Sequence, residues 1–189
     1  DEVVVAFQGG EPTLMGTGFF RRVVELERQL AAPGQRVLNT VQTNATLVDD
    51  EMAAFFAENG FLVGVSIDGP REMHDAYRVD KGGKPTYDRV VQGLRTLQRH
   101  RVDWNALTTI NAANADHGLE VYRFLRDELG AQYIQLIPIV ERVTPKVLPL
   151  AEAGWGARAG ERPLYQQSGD VVTSRSVGAE QYGQFLVEV

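Results

Sequence analysis

Val3-Val4-Val5-Ala6-Phe7-Gln8-Gly9-Gly10-Glu11-Pro12 is the stretch on which the reading of this chain turns. Its β-branched apolar run predicts a strand, which passes without a spacer into two glycines, a carboxylate and a proline. Adjacent glycines permit positive φ and let a ligand approach bare main chain, while the fixed φ of Pro12 stops the strand and holds Glu11 extended. The groups left at the strand end are amide N–H, carbonyl oxygen and one carboxylate. Such a set suits a ligand carrying both an ammonium and a carboxylate, as an amino-acid moiety does. The plain alternative for an isolated Gly-Gly-Glu-Pro is a tight turn with Glu11 capping or facing solvent, so the surrounding sequence decides.

Outward from that junction the chain alternates helix and strand. Helical spacing of Phe19, Phe20, Val23, Val24, Leu26 and Leu30 predicts a helix over 18–30, and Pro33-Gly34 ends it. A strand is expected over 36–43, a helix from Asp49 to Asn59-Gly60, and a nearly all-apolar strand over 61–67. After a long loop come a helix over 87–99, a strand over 102–110, a helix over 119–129 and a fifth strand over 133–137. Apolar strands separated by helices imply a parallel sheet with right-handed crossovers. That topology gathers Gln8 to Glu11, Gln42-Thr43-Asn44, Ser66 to Pro70, Asn111 and the Ile134 to Pro138 region on one rim of strand carboxyl ends, where α/β folds bind ligands. No Gly-x-Gly-x-x-Gly follows the first strand, which favours a curved, barrel-like sheet over an open Rossmann sheet.

Composition narrows the function classes. The 189 residues, 43% of them hydrophobic, suffice for one domain or most of one. With 19 basic against 25 acidic residues the net charge of -6 gives no electrostatic footprint for nucleic acid, so no nucleic-acid partner is expected. No run approaches the roughly 20 apolar residues that span a bilayer, and no signal-like segment opens the chain; no membrane partner and a cytoplasmic location are expected. The absence of cysteine excludes disulfides, thiolate catalysis and any thiolate-held metal centre within these residues. His74, His100 and His117 have no ligand spacing among them, so no metal is assigned to them. A start inside a strand and a stop inside an apolar helical run lead us to expect an excerpt of a longer protein.

Phe7-Gln8-Gly9-Gly10-Glu11-Pro12-Thr13-Leu14, Gln42-Thr43-Asn44, Val65-Ser66-Ile67-Asp68-Gly69-Pro70 with His74 and Arg78, and Ile134-Gln135 together resemble the radical S-adenosylmethionine enzymes, most nearly the anaerobic sulfatase-maturating enzymes. The resemblance runs in order over residues 3–140. It implies an α/β fold of parallel strands in a partial (β/α) barrel of radical SAM type, with S-adenosyl-L-methionine and a [4Fe-4S] cluster as cofactors. The activity implied is conversion of a cysteine or serine of a sulfatase polypeptide into Cα-formylglycine by a 5′-deoxyadenosyl radical. Carried over by position, Gly9, Gly10 and Glu11 would hold the methionyl amino group, Ser66 and Arg78 the ribose and carboxylate, and the Ile134 backbone would sit against adenine. Gln8, Gln42 and Asn44 would line the substrate side. The family's Cys-x-x-x-Cys-x-x-Cys loop is absent and would precede Asp1, as are the later cysteines of auxiliary clusters and a carboxyl-terminal aspartate base, so these residues carry no catalytic group of their own. Ala45 stands where the family often has glycine.

Residues 1–140 are thus expected to be part of the barrel. Residues 141–189 are expected to be a long loop that borders the peptide-substrate entrance, plus a helix leading toward a missing carboxyl-terminal domain; the plain alternative for the loop is disorder with Trp155 as its one anchor. Three other readings remain open from the residues. One is a radical enzyme that modifies ribosomal peptides, and another a cluster-less S-adenosylmethionine-binding module. The last, a barrel hydrolase or aldolase using Glu11 and Asp68, lacks a histidine set or a strand-borne lysine.

Overall fold

The computed structural model describes residues 2–153 and 167–189. Strands β1 (Glu2–Phe7), β2 (Arg36–Thr43), β3 (Leu62–Ser66), β4 (Asp103–Ile110) and β5 (Ile134–Pro138) form one sheet in sequential order, every pair parallel. Helices α1 (Gly16–Leu30), α2 (Asp50–Glu58), α3 (Arg71–Asp75), α4 (Tyr87–Arg99) and α5 (Gly118–Arg123) fall in the crossovers. Sequential parallel order with all helices on one face is the curled half of a (β/α) barrel, as expected. The two faces of the sheet differ sharply. Val63, Val65 and Ile67 point into the helical layer and are fully buried, whereas Leu62, Gly64 and Ser66 point to the concave side.

The helical layer carries the core. Phe20 stacks edge-on against Phe7, Phe19, Phe56 and Phe61, tying α1 and α2 to the ends of β1 and β3. Val90, Leu94 and Leu97 form the inner stripe of α4. Asp49 caps α2 by accepting from the Met52 amide at 2.8 Å. The helix expected over 119–129 is α5 followed by a π-helical turn over Phe124–Glu128, closed at Gly130 with φ +74°.

Two segments depart from the expectations. The loop after β3 holds α3, too short to show periodicity. Residues 140–177, expected as one loop, contain β6 (Arg142–Val143), α6 (Leu148–Glu152) and β7 (Val171–Val172), with β6 and β7 antiparallel. A buried ion pair holds this unit: Glu141 lies 2.7 Å from Arg175 Nη2 and accepts from Thr173 Oγ1 at 2.6 Å. Elements of two to five residues leave no pattern in sequence, which is why they escaped. Trp155 lies outside the described residues. Helix α7 (Ala179–Glu188) then packs Phe185 against the main core.

Candidate functional site

The carboxyl ends of β1 to β4 are joined by two carboxylate clusters, the first around half-buried Glu11 and the second around buried Asp68. Gly9 and Gly10 follow β1 with φ of +87° and +59°, and nothing lies within 4 Å of where a side chain would start. They leave bare backbone open, as the two glycines predict. Glu11 turns inward. Its Oε1 accepts from the Thr13 amide at 3.0 Å and from the hydroxyls of Thr13 and Thr43, each at 2.6 Å, while Oε2 accepts from the Asn44 amide at 2.8 Å. Glu11 therefore ties the end of β1 to the end of β2, and Oε2 keeps acceptor capacity for one further donor. Thr43, 32 residues away, is not recognisable as a partner from spacing alone.

The second cluster lies at the ends of β3 and β4. Asp68, 1% exposed, accepts from Arg78 Nε at 2.6 Å, Arg78 Nη2 at 3.0 Å and the Thr109 amide at 2.8 Å. The fork is bidentate, with Arg78 Nη2 also 3.5 Å from Thr109 Oγ1. Arg78 Nη1 has no partner among the described residues, so that edge of the guanidinium is open. Asn114, missed in the sequence, locks the same corner: its amide donates to the carbonyls of Asp68 at 2.9 Å and Thr109 at 2.8 Å. Asn111 is fully buried and builds the turn beside it, accepting from the Ala113 amide at 2.9 Å.

His74 sits behind this corner with no exposed surface. Its Nδ1 lies 3.3 Å from the Asp68 amide and its Nε2 3.1 Å from Thr86 Oγ1. Burial pushes its pKa down to about 4, with nearby Asp68 partly opposing. The unfolded chain takes up a proton here from about pH 6.5 downward and the folded chain only near 4, so stability falls as pH drops through that window. We expect this one group to remove about 3 kcal/mol across the window. Urea unfolding at a series of pH values should show a shallower acid slope in His74→Gln than in wild type, and equal slopes would refute the assignment.

The concave face of the sheet forms a cavity of about 400 Å³ lined by Gln8, Gln42, Gly64, Asn105, Leu107 and Gln135, among others. Register aligns Gln42, Gly64 and Asn105 in one row and Ser66, Leu107 and Gln135 in the next. Among the described residues the carboxamides of Gln8, Gln42, Asn105 and Gln135 make no hydrogen bond. Asn105 and Gln135 join the expected Gln8 and Gln42; the alternation of Asn105 with buried Ala106 is the signal that could have shown Asn105. Asn44 differs, because its Oδ1 is taken by the Thr46 amide at 3.0 Å and hydroxyl at 2.7 Å. Ser66 is mostly buried, with no hydrogen-bond partner for its hydroxyl among the described residues. Ile134 is not at the rim. It opens β5 opposite Ala106 and packs against the helical core, and the residues at the carboxyl end of that strand are Pro138, opposite Ile110, and Ile139. The apolar pattern that predicts the fifth strand carries no register.

The family model of the radical SAM superfamily matches residues 2–125. The serine-type anaerobic sulfatase-maturating enzyme of Bacteroides thetaiotaomicron is 39% identical over all of this chain and 43% of its own length. The cysteine-type enzyme of Clostridium novyi is 36% identical over 73% of the chain and 37% of its own length. The chain thus spans less than half the length of these curated relatives. Among solved structures, "Native anSMEcpe with bound AdoMet and Cp18Cys peptide" superposes with a TM-score of 0.77 at 30% identity, over 98% of this chain and 45% of that one. "Native anSMEcpe with bound AdoMet" gives 0.79 at 31% identity, over 98% and 44%.

Proposed function

Because this chain belongs to the radical SAM superfamily, we propose that it is the cofactor-binding part of an anaerobic sulfatase-maturating enzyme, which oxidises a cysteine or serine of a sulfatase polypeptide to Cα-formylglycine in the cytoplasm. The observation that carries this is the convergence on one sheet edge of open glycine backbone with a serine hydroxyl and an arginine Nη1 that have no partner among the described residues. These residues fit S-adenosylmethionine. Gly9 and Gly10 would admit the methionyl group and Glu11 Oε2 would take its ammonium, the Arg78 Nη1 edge would take its carboxylate, Ser66 would serve the ribose, and the main chain near Pro138 and Ile139 would serve adenine. A [4Fe-4S] cluster would be held by cysteines supplied from outside these residues, since none is present here. When bound, S-adenosylmethionine and the cluster would supply the one-electron chemistry that removes a hydrogen from the substrate Cβ.

The chain's own residues then bind and orient. Glu11 and Asp68 hold the strand ends rigid, so the open donors and acceptors stand preorganised. The uncharged carboxamides of Gln8, Gln42, Asn105 and Gln135 suit a polypeptide main chain, which offers both donors and acceptors. Among the described residues no helix is long and apolar enough to cross a membrane. The test is anaerobic reconstitution of the protein with S-adenosylmethionine, reductant and a sulfatase-motif peptide, read by mass spectrometry. Formation of 5′-deoxyadenosine with a formylglycine mass change is the expected result. Cofactor cleavage with an unchanged peptide would move the substrate to another peptide, and no cleavage with a loaded cluster would leave a binding module.

Arg78→Ala in the same protein is expected to weaken S-adenosylmethionine binding by about 1.5–3 kcal/mol, the worth of a hydrogen bond to a charged group. Calorimetric titration measures it, and unchanged affinity would remove Arg78 from the site.

A further inference from the structure

We propose that Thr86, with His74 behind it, is a positioning residue that sets the Arg78 guanidinium for a ligand carboxylate; the inference rests on the S-adenosylmethionine reading above. Arg78 lies on the loop between α3 and α4, whose far end is Thr86. The Thr86 hydroxyl donates to the Arg78 carbonyl at 2.6 Å, so toward His74 it offers only a lone pair. His74 Nε2, 3.1 Å away, must then carry the proton, which leaves Nδ1 to accept from the Asp68 amide at 3.3 Å. Asp68 in turn binds the guanidinium of Arg78 through both carboxylate oxygens. The result is a closed ring that runs from the Asp68 amide through His74 and Thr86 to the Arg78 carbonyl, and back from the Arg78 side chain to Asp68. Arg78 is gripped at both ends, its main chain by Thr86 and its fork by Asp68.

The hydroxyl of Thr86 has little other work. The residue's backbone is pinned separately, because Asp75 Oδ1 accepts from the amides of Thr86 and Tyr87, each at 2.9 Å, and so caps α4. The charged groups facing His74 are Asp68, Asp75 and Arg78, and the Tyr87 ring lies edge-on at 5.9 Å. Asp68 already offsets the charge of Arg78. The pair therefore attracts a carboxylate through the direction of the free Nη1 donors more than through net charge, and direction is what a loosened loop would lose. Loss of the Thr86 hydroxyl should thus harm only ligands that present a carboxylate.

The test titrates the intact protein with two probes, S-adenosylmethionine and its decarboxylated form. Thr86→Val keeps the shape and removes the hydroxyl. It is expected to weaken S-adenosylmethionine about tenfold, the cost of about one hydrogen bond, while changing the decarboxylated probe less than about twofold. Thr86→Ser is expected to restore wild-type discrimination. Equal weakening of both probes, or of neither, overturns the inference and leaves Thr86 as a clasp of the fold. Should valine not be tolerated, Thr86→Ala compared with Thr86→Ser poses the same question. A wild-type protein that binds neither probe overturns the cofactor reading, and the inference with it. Wild type binding both probes equally overturns the inference and leaves S-adenosylmethionine binding standing.

Discussion

Asp68→Asn is expected to destabilise the folded protein by about 3 kcal/mol, toward the lower end of the cost of breaking a buried ion pair because the Arg78 side chain is 26% exposed. It should also cost cofactor affinity. The carboxylate serves three donors, Arg78 Nε, Arg78 Nη2 and the Thr109 amide, all within 3.0 Å. An asparagine can face only one oxygen to them, so in either orientation its own N–H₂ confronts another donor. A buried donor is then unsatisfied and the Arg78 charge is left without its counter-ion. Urea unfolding of Asp68→Asn, Arg78→Ala and the double variant should show strong non-additivity, because the arginine's penalty vanishes once it is removed. Additive costs would mean that the pair does not hold this corner of the rim.

The elements that show in the sequence are those whose burial follows a period. Helix α4 was expected over 87–99 and occupies those residues, because Val90, Leu94 and Leu97 recur at helical spacing on a face that is completely buried. Strand β2 was also expected at its observed bounds, and β3 differs only at its ends, where the Phe61 amide bonds back to the Phe56 carbonyl and the Ile67 amide makes the last bond to β4 at the Leu107 carbonyl. The π-helical turn over Phe124–Glu128 is silent, since its apolar residues fit an ordinary helix equally well. Within the site, the glycines and the convergence of strand ends follow from chain order alone. The hydrogen-bond partners do not. Glu11 meets Thr43 and Asn44, and Asp68 meets Thr109, only because parallel register brings residues 32 to 41 apart in sequence to one level. Register also explains Ile134: a five-residue strand can slide along its neighbour without changing its composition, and here Pro138 reaches the rim.

Gly93→Ala should destabilise the protein by about 3 kcal/mol or more, beyond the usual cost of overpacking. Ordinarily alanine in a helix interior gains up to about 1 kcal/mol over glycine. At this position the added methyl would stand 2.0 Å from the Ala45 carbonyl oxygen and 3.0 Å from its carbon. Those are main-chain atoms of the turn that follows β2, and they cannot swing aside as a side-chain tip can. Ala45 is itself buried with φ +56°, a conformation that already costs a non-glycine residue about 1–2 kcal/mol. Its amide is held by Thr43 Oγ1 at 3.0 Å, and the Asn44 amide beside it is held by Glu11. Relief must therefore come from lifting α4 off the core, which exposes Val90, Leu94 and Leu97, or from shifting the turn, which pulls the Asn44 amide away from Glu11. The first route lowers stability and the second lowers cofactor affinity as well, so thermal melts and cofactor titrations on the same variant separate them. Gly183→Ala supplies the contrast: nothing lies within 4 Å of its added methyl on α7, and it is expected to be neutral or stabilising by up to about 1 kcal/mol. Equal melting temperatures for the two variants would show that the close approach of α4 to the β2 turn is not kept in solution.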